Sequence, residues 1–155
     1  MEEQAIQDIY PEDYAWCYGC GRLNEYGLQL KTVWDGEQTV TTYTPRKEHT
    51  AIPGFVYGGL LASLIDCHGT GSASMVLHKK NGYVIGDGAE PPRFVTASLH
   101  VDFMKPTPHG TPLKAIGMVE EIHPKKFKIM TEVYADKICC AKAEVVAVVM
   151  PETFT

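Results

Sequence analysis

The chain of 155 residues contains no run apolar enough to cross a membrane. Its longest weakly charged stretch, Ala51 to Leu77, is interrupted by Pro53, several glycines, Asp66 and His68, and is too polar for a bilayer core. Positive charge is also short. The net charge is −5 at pH 7, which argues against an extended polyanion-binding surface. No pair of helices suited to DNA is visible, so neither nucleic acid nor membrane is an expected partner. The N-terminus, MEEQAIQDIYPED, is acidic and lacks a basic n-region and an apolar h-region. No signal peptide is therefore read there, and a cytoplasmic location is the expectation. Five cysteines, an odd count without a secretion signal, point to free thiols rather than a disulfide framework. Internal repeats, low-complexity segments, a glycine-rich phosphate loop after a strand and a serine nucleophile elbow are all missing.

What is present suits one domain with one core: 45% of the residues are apolar and 21% charged. Residues 4–14 suit a short helix limited by Pro11. Residues 27–34 and 38–44 alternate and are β-rich, with Asp35-Gly36 between them as a hairpin signal. Residues 45–57 read as a loop with turn chemistry at Pro53-Gly54. One long helix is predicted from Gly58 to about Lys79, closed by lysines that suit its C-terminal dipole. Four β segments follow, at 94–104, 113–122, 127–135 and 138–150, and are read as a meander. The pattern is α+β, one antiparallel sheet wrapped around one buried central helix. Residues 1–155 form a single domain, with 1–16 as an N-terminal extension.

Asp66 is the only formally charged residue between Glu48 and Lys79. A lone carboxylate in a buried helix loses several kcal/mol of solvation unless it is paired or protonated. Composition leaves two readings open: a structural aspartate bonded to nearby backbone, or a catalytic one. Gly58-Gly59 sit where the helix opens. Unpaired N–H groups at such a start favour an oxyanion, and glycine lets a substrate approach the backbone. A bare tight turn is the plainer reading of the same pair. Eight residues of helix separate Gly58 from Asp66 by roughly 12 Å. One substrate carbonyl cannot touch both within a chain, so if both act, two chains supply them and the site lies at a dimer interface.

The stretch His49-Thr-Ala-Ile-Pro53-Gly54-Phe-Val-Tyr57-Gly58-Gly59, with Asp66 eight residues past Gly58, resembles hotdog-fold thioesterases of the phenylacetate-pathway (PaaI-like) and thioesterase-superfamily-member groups. Two further stretches are similar to parts of those proteins. One is Val95-Thr96 through Asp102 and Lys105-Pro106 to Gly110. The other is Cys17-x-x-Cys20-Gly21 with Asn24 and Gly27-Leu28. The resemblance implies a hotdog fold, a homodimer or dimer of dimers, and acyl-CoA hydrolysis without metal or cofactor. It implies Asp66 as general base or nucleophile, the Gly58 N–H of a partner chain polarising the carbonyl, and Thr96 holding water or orienting Asp66. Asp102, Lys105 and, more loosely, Lys125 and Lys126 match the region near the nucleotide end of CoA; a solvated hairpin is the other reading of the lysine pair. Tyr57 replaces the usual histidine before Gly-Gly, leaving open a backbone role or stacking on an aromatic acyl group. Gly59 completes that substrate-binding set. His49 lies near a carbonyl-contacting position of some relatives, with a capped or surface histidine as the alternative.

Other clusters were weighed against plainer meanings. Cys17-x-x-Cys20 offers half a zinc site, but Cys139-Cys140 is no second C-x-x-C and no histidine pair has ligand spacing, so two buried thiols and no metal are expected. Asp66-Cys67-His68 looks like a catalytic cluster, but successive helical residues point about 100° apart and cannot converge; Cys67 is read as core. Two competing functions remain: a hotdog hydratase or dehydratase in which His49 pairs with Asp66, and a non-catalytic acyl-CoA-binding protein.

Overall fold

The computed structural model describes residues 4–154. Six strands, β1 (Thr32–Trp34), β2 (Thr39–Tyr43), β3 (Phe94–Phe103), β4 (Leu113–His123), β5 (Lys126–Ala135) and β6 (Ile138–Val149), form one sheet around a single helix, α1 (Gly58–Lys80). The strand order is β1-β2-β4-β5-β6-β3, and every pair is antiparallel. α1 touches all six strands. This is the hotdog fold, and the predicted helix ends one residue short of the observed one. No helix among the described residues is long and apolar enough to cross a membrane.

The reason α1 lies inside is that its side chains are apolar or small nearly all round. Leu60, Leu61, Leu64, Ile65 and Ala73 are buried in one cluster with Phe127, Ile129, Val145 and Ala147 from the sheet. At about 25 cal/mol per Å², each such large side chain contributes about 1.5–3 kcal/mol relative to exposure. Gly69 sets the closeness of the contact: a Cβ built there would lie 2.6 Å from Val145 Cγ1. The apolar cluster is one body, so helix and sheet share a single core.

Two sequence expectations change. The last four strands are not a meander. β4, β5 and β6 follow one another through tight turns, but β3 pairs with β6, Phe94 opposite Val149 and Phe103 opposite Ala141. The cue lies in connection length: two residues join β4 to β5 and β5 to β6, whereas residues 104–112 separate β3 from β4. Tight links impose hairpins; the longer one lets the chain cross to the far edge. The predicted helix over 4–14 is two short 3₁₀ turns, Ile6–Ile9 and Glu12–Tyr14, with Pro11 capping the second. The N-terminal segment is docked nonetheless. Ile6 is fully buried, and the Gln7 amide donates to Thr32 Oγ1 while its carbonyl accepts from Thr32 N. Residues 1–3 of that extension lie outside the described residues.

Candidate active site

Asp66 leaves α1 on the side that faces the start of β3. There the Thr96 hydroxyl donates a hydrogen bond to Asp66 Oδ1. A bulge places that hydroxyl. Thr96 pairs with Ala147 and Ser98 with Val146, so Ala97 is an extra residue, and the bend re-aims the neighbouring side chain. Asp66 is half-buried and, with Thr96, lines a cavity of about 270 Å³. Its pKa is raised above the ordinary carboxylate value, first by burial; the Thr96 hydrogen bond opposes the rise and the nearby Cys17 sulfur adds to it. A carboxylate that is desolvated, held by one donor and open to a cavity is a stronger proton acceptor than a solvated one.

Gly58 is the first residue of α1, after Tyr57 in extended conformation, and no side chain caps that start. The first N–H groups of a helix have no partner within it, so these point outward as anion-binding dipoles. Gly58 lines a second cavity, about 350 Å³, with Val56, Leu61, Phe103, Lys105 and Pro106. A Cβ at Gly58 would come within 3.2 Å of Phe103, and one at Gly59 within 2.4 Å of the Tyr57 ring. The Tyr57 ring therefore lies against Gly59. Asp66 is absent from this cavity, as Gly58 is from the other. Within one protomer the two sites are separate, about 12 Å apart along the helix.

The geometry joins three sequence signals on one helix and its edge strand: a glycine-started helix, a carboxylate eight residues on, and a threonine on the following strand. The model of one family, the thioesterase superfamily, matches residues 53–141. The chain belongs to the thioesterase superfamily. Among solved structures, it is similar to a superfamily protein from Shewanella loihica, 43% identical over 90% of this chain and 97% of that one, TM-score 0.68. The PaaI protein of the phenylacetic acid degradation operon of E. coli is 17% identical, with 80% and 81% covered and a TM-score of 0.63. A thioesterase from Haemophilus influenzae is 12% identical, with 79% of each chain covered and a TM-score of 0.62. These last two likenesses concern the fold. No curated protein matches. Superfamily membership supports thioester hydrolysis as the activity, and the matched segment carries Gly58, Asp66, Thr96 and Lys105.

Other sequence-predicted residues of this superfamily member fall elsewhere. His49 is buried, but its ring serves the loop: Nδ1 accepts the Arg46 N–H at 2.9 Å, and Arg46 Nη2 lies 3.5 Å from Nε2. It lines neither cavity, so within one protomer the structure does not bring His49 to Asp66. The missed cue is local, since a His three residues after an Arg in a loop can close a turn by accepting the backbone N–H. Lys125 and Lys126 are exposed at the other end of the sheet from Asp102 and Lys105. Lys126 sits opposite Val148 and Asp102 opposite Lys142, six residues along β6, or about 20 Å. Within one protomer the four residues do not form one patch. Asp102 is exposed and lies 3.2 Å from His100 Nε2.

Asp66, Cys67 and His68 diverge as helix geometry requires. His68 is fully buried among the hydroxyls of Thr39, Ser72 and Thr131, at 3.3, 3.4 and 3.4 Å, and burial lowers its pKa to about 4. Cys67 is buried, as expected for core, yet its sulfur lies 3.8 Å from that of Cys17. Cys17 is exposed as a residue, not buried, and Cys20 is buried. The sequence reading missed Cys67 as the neighbour of this pair because it looked to Cys139 and Cys140. Those two lie near Glu132 and Pro106 instead.

Proposed function

We propose that this chain hydrolyses acyl-CoA thioesters in a homodimer, with Asp66 of one protomer and the Gly58 N–H of the other acting on one carbonyl. The carrying observation is the Asp66–Thr96 pair lining a cavity, set about two helical turns from the uncapped start of its own helix at Gly58. Asp66 takes a proton from water as the water oxygen adds to the thioester carbon; or it attacks that carbon itself, and water then hydrolyses the acyl–Asp66 anhydride so formed. The Gly58 N–H stabilises the developing oxyanion. Collapse breaks the C–S bond, the thiolate leaves and takes a proton, and the acyl group departs as the free acid. Thr96 keeps Asp66 aimed and ionised.

Support for the dimer comes from the sheet edge. β3 runs for ten residues and pairs on one side only, with Leu99 and Phe103 exposed. A long unpaired edge is a template for a second copy. Lys105, in the Gly58 cavity, is placed to meet a phosphate of the substrate's nucleotide end. Nothing favours the hydratase reading, since His49 is engaged with Arg46.

The test is a screen of short, long and aromatic acyl-CoAs for released thiol, with wild type beside Asp66→Asn. Unchanged turnover in that variant sinks the assignment. Tight binding without turnover by the wild type would favour the binding-protein reading. The interface is tested by mixing two inactive variants. Gly58→Pro removes the N–H at a helix position that tolerates proline, after a residue already extended. Mixed with Asp66→Asn after subunit exchange, it should restore about a quarter of wild-type activity, since half the dimers are mixed and each holds one intact site. No recovery, with mixed dimers demonstrated, places both groups in one chain.

A further inference from the structure

Three sulfurs meet beside the Asp66 cavity, and nothing in the hydrolytic chemistry uses them. Those of Cys17, Cys20 and Cys67 all lie within 4.8 Å of one another, and Cys17 and Cys67 are 3.8 Å apart. A disulfide has its sulfurs about 2.05 Å apart. A tetrahedral ion with metal–sulfur bonds of about 2.3 Å has sulfurs about 3.8 Å apart along each edge. The Cys17–Cys67 edge has the second spacing, and the other two edges are within 4.8 Å.

The loop that supplies two of the sulfurs is built tightly enough to hold it. Gly21 N donates to Cys17 O at 2.8 Å, closing the turn over Cys17-x-x-Cys20. A Cβ on Gly21 would lie 2.5 Å from Ala15 O and Cys17 N, so a side chain has no room there. Gly19 faces α1 so closely that its Cβ would stand 2.3 Å from Cys67 Sγ. Two further backbone bonds, Leu28 N to Tyr18 O and Leu30 N to Gly19 O, tie the loop to the chain that follows. The third sulfur rides on the central helix, one residue from Asp66. Cys17, Cys20 and Cys67 also line the cavity that holds Asp66, Thr96 and Tyr10.

We propose that Cys17, Cys20 and Cys67 form a three-thiolate site for one thiophilic divalent cation, zinc by chemistry, with its fourth position open to the Asp66 cavity. Soft thiolates select such ions, and three protein ligands beside a cavity are the pattern of an open site. Binding releases the thiol protons and pins the N-terminal loop to α1. The site stands apart from thioester hydrolysis as proposed above, which routes no step through a metal, and its test needs no activity measurement.

The full chain, purified under reductant and stripped with a chelator, is titrated anaerobically with Co²⁺. One Co²⁺ per chain is expected, with thiolate-to-metal charge-transfer absorption in the near ultraviolet and intense tetrahedral bands in the visible, all abolished by added Zn²⁺. Cys67→Ser should lose the tight site, whereas Cys139→Ser, outside the triangle, should bind as wild type does. Absence of charge-transfer absorption in the wild-type chain overturns the proposal, and this readout needs no variant to fold. So does absorption that survives Cys67→Ser, or that falls equally in Cys139→Ser. Air oxidation to a Cys17–Cys20 or Cys17–Cys67 disulfide with no metal uptake by the reduced chain would mark a redox pair instead.

Discussion

Asp66 and His68 sit two residues apart on one helix, and each is a polar group sunk among apolar ones. Their surroundings differ completely. His68 is closed in: three hydroxyls and the Thr39 carbonyl surround its ring, no solvent reaches it, and burial holds it neutral. Asp66 has one hydroxyl partner and a cavity in front of it. A polar group whose neighbours satisfy it has nothing left for a substrate. One that is held by a single donor and faces open space keeps its remaining lone pairs for chemistry. The difference follows from the 100° turn between helical neighbours, which aims one residue at the middle of the sheet and the other at its β3 edge.

Four substitutions sharpen that contrast. Asp66→Asn should cut kcat by about 10³-fold or more while shifting the melting temperature little, read by thiol release and calorimetry. His68→Leu should do the reverse. It takes the ring partner from the buried Thr131 hydroxyl and costs about 2–3 kcal/mol in denaturant unfolding, with kcat per folded molecule retained. The pH dependence of stability should distinguish it further. The His68 pKa is lower in the folded state than in the unfolded one, so the wild type is stabilised above about 6.5 and loses that stability as pH falls toward about 4. The leucine variant should lack this slope. Next comes Thr96→Val, which takes the donor from Asp66 and should lower kcat about tenfold without unfolding the edge strand. Ser72→Ala removes a hydroxyl from the closed cluster and should cost about 1 kcal/mol of stability with turnover unchanged. If Thr96→Val and Ser72→Ala behaved alike, the open and closed sites would not be different in kind.

Much of this was legible beforehand. α1 was visible from its apolar content, its glycine start and its lysine end, because a helix enclosed by a sheet must lack charge nearly everywhere. Asp66 stood out as the exception. The β1–β2 hairpin followed from Asp35-Gly36; Trp34 indeed pairs with Thr39 across it. The position of β3 was not legible, since pairing of distant strands leaves no mark in either segment alone. Lys125 and Lys126 flank the β4–β5 turn and so fall at the far end of their own protomer's sheet from Lys105. The role of His49 turned on a contact with backbone three residues away, which residue type does not reveal. The sulfur triangle was hidden because its third member lies 47 residues from the second, inside a helix where a cysteine passes for packing.

The path of β3 has a consequence for how the protein comes into being. Thr96 can take its place beside Asp66 only once β3 has its neighbour, and that neighbour, β6, is the last strand to be synthesised. A nascent chain stalled before residue 138 would carry the acidic helix but no wall to set it against. A fragment that ends before β6 would therefore lack the wall that sets Thr96 beside Asp66 and would be inert.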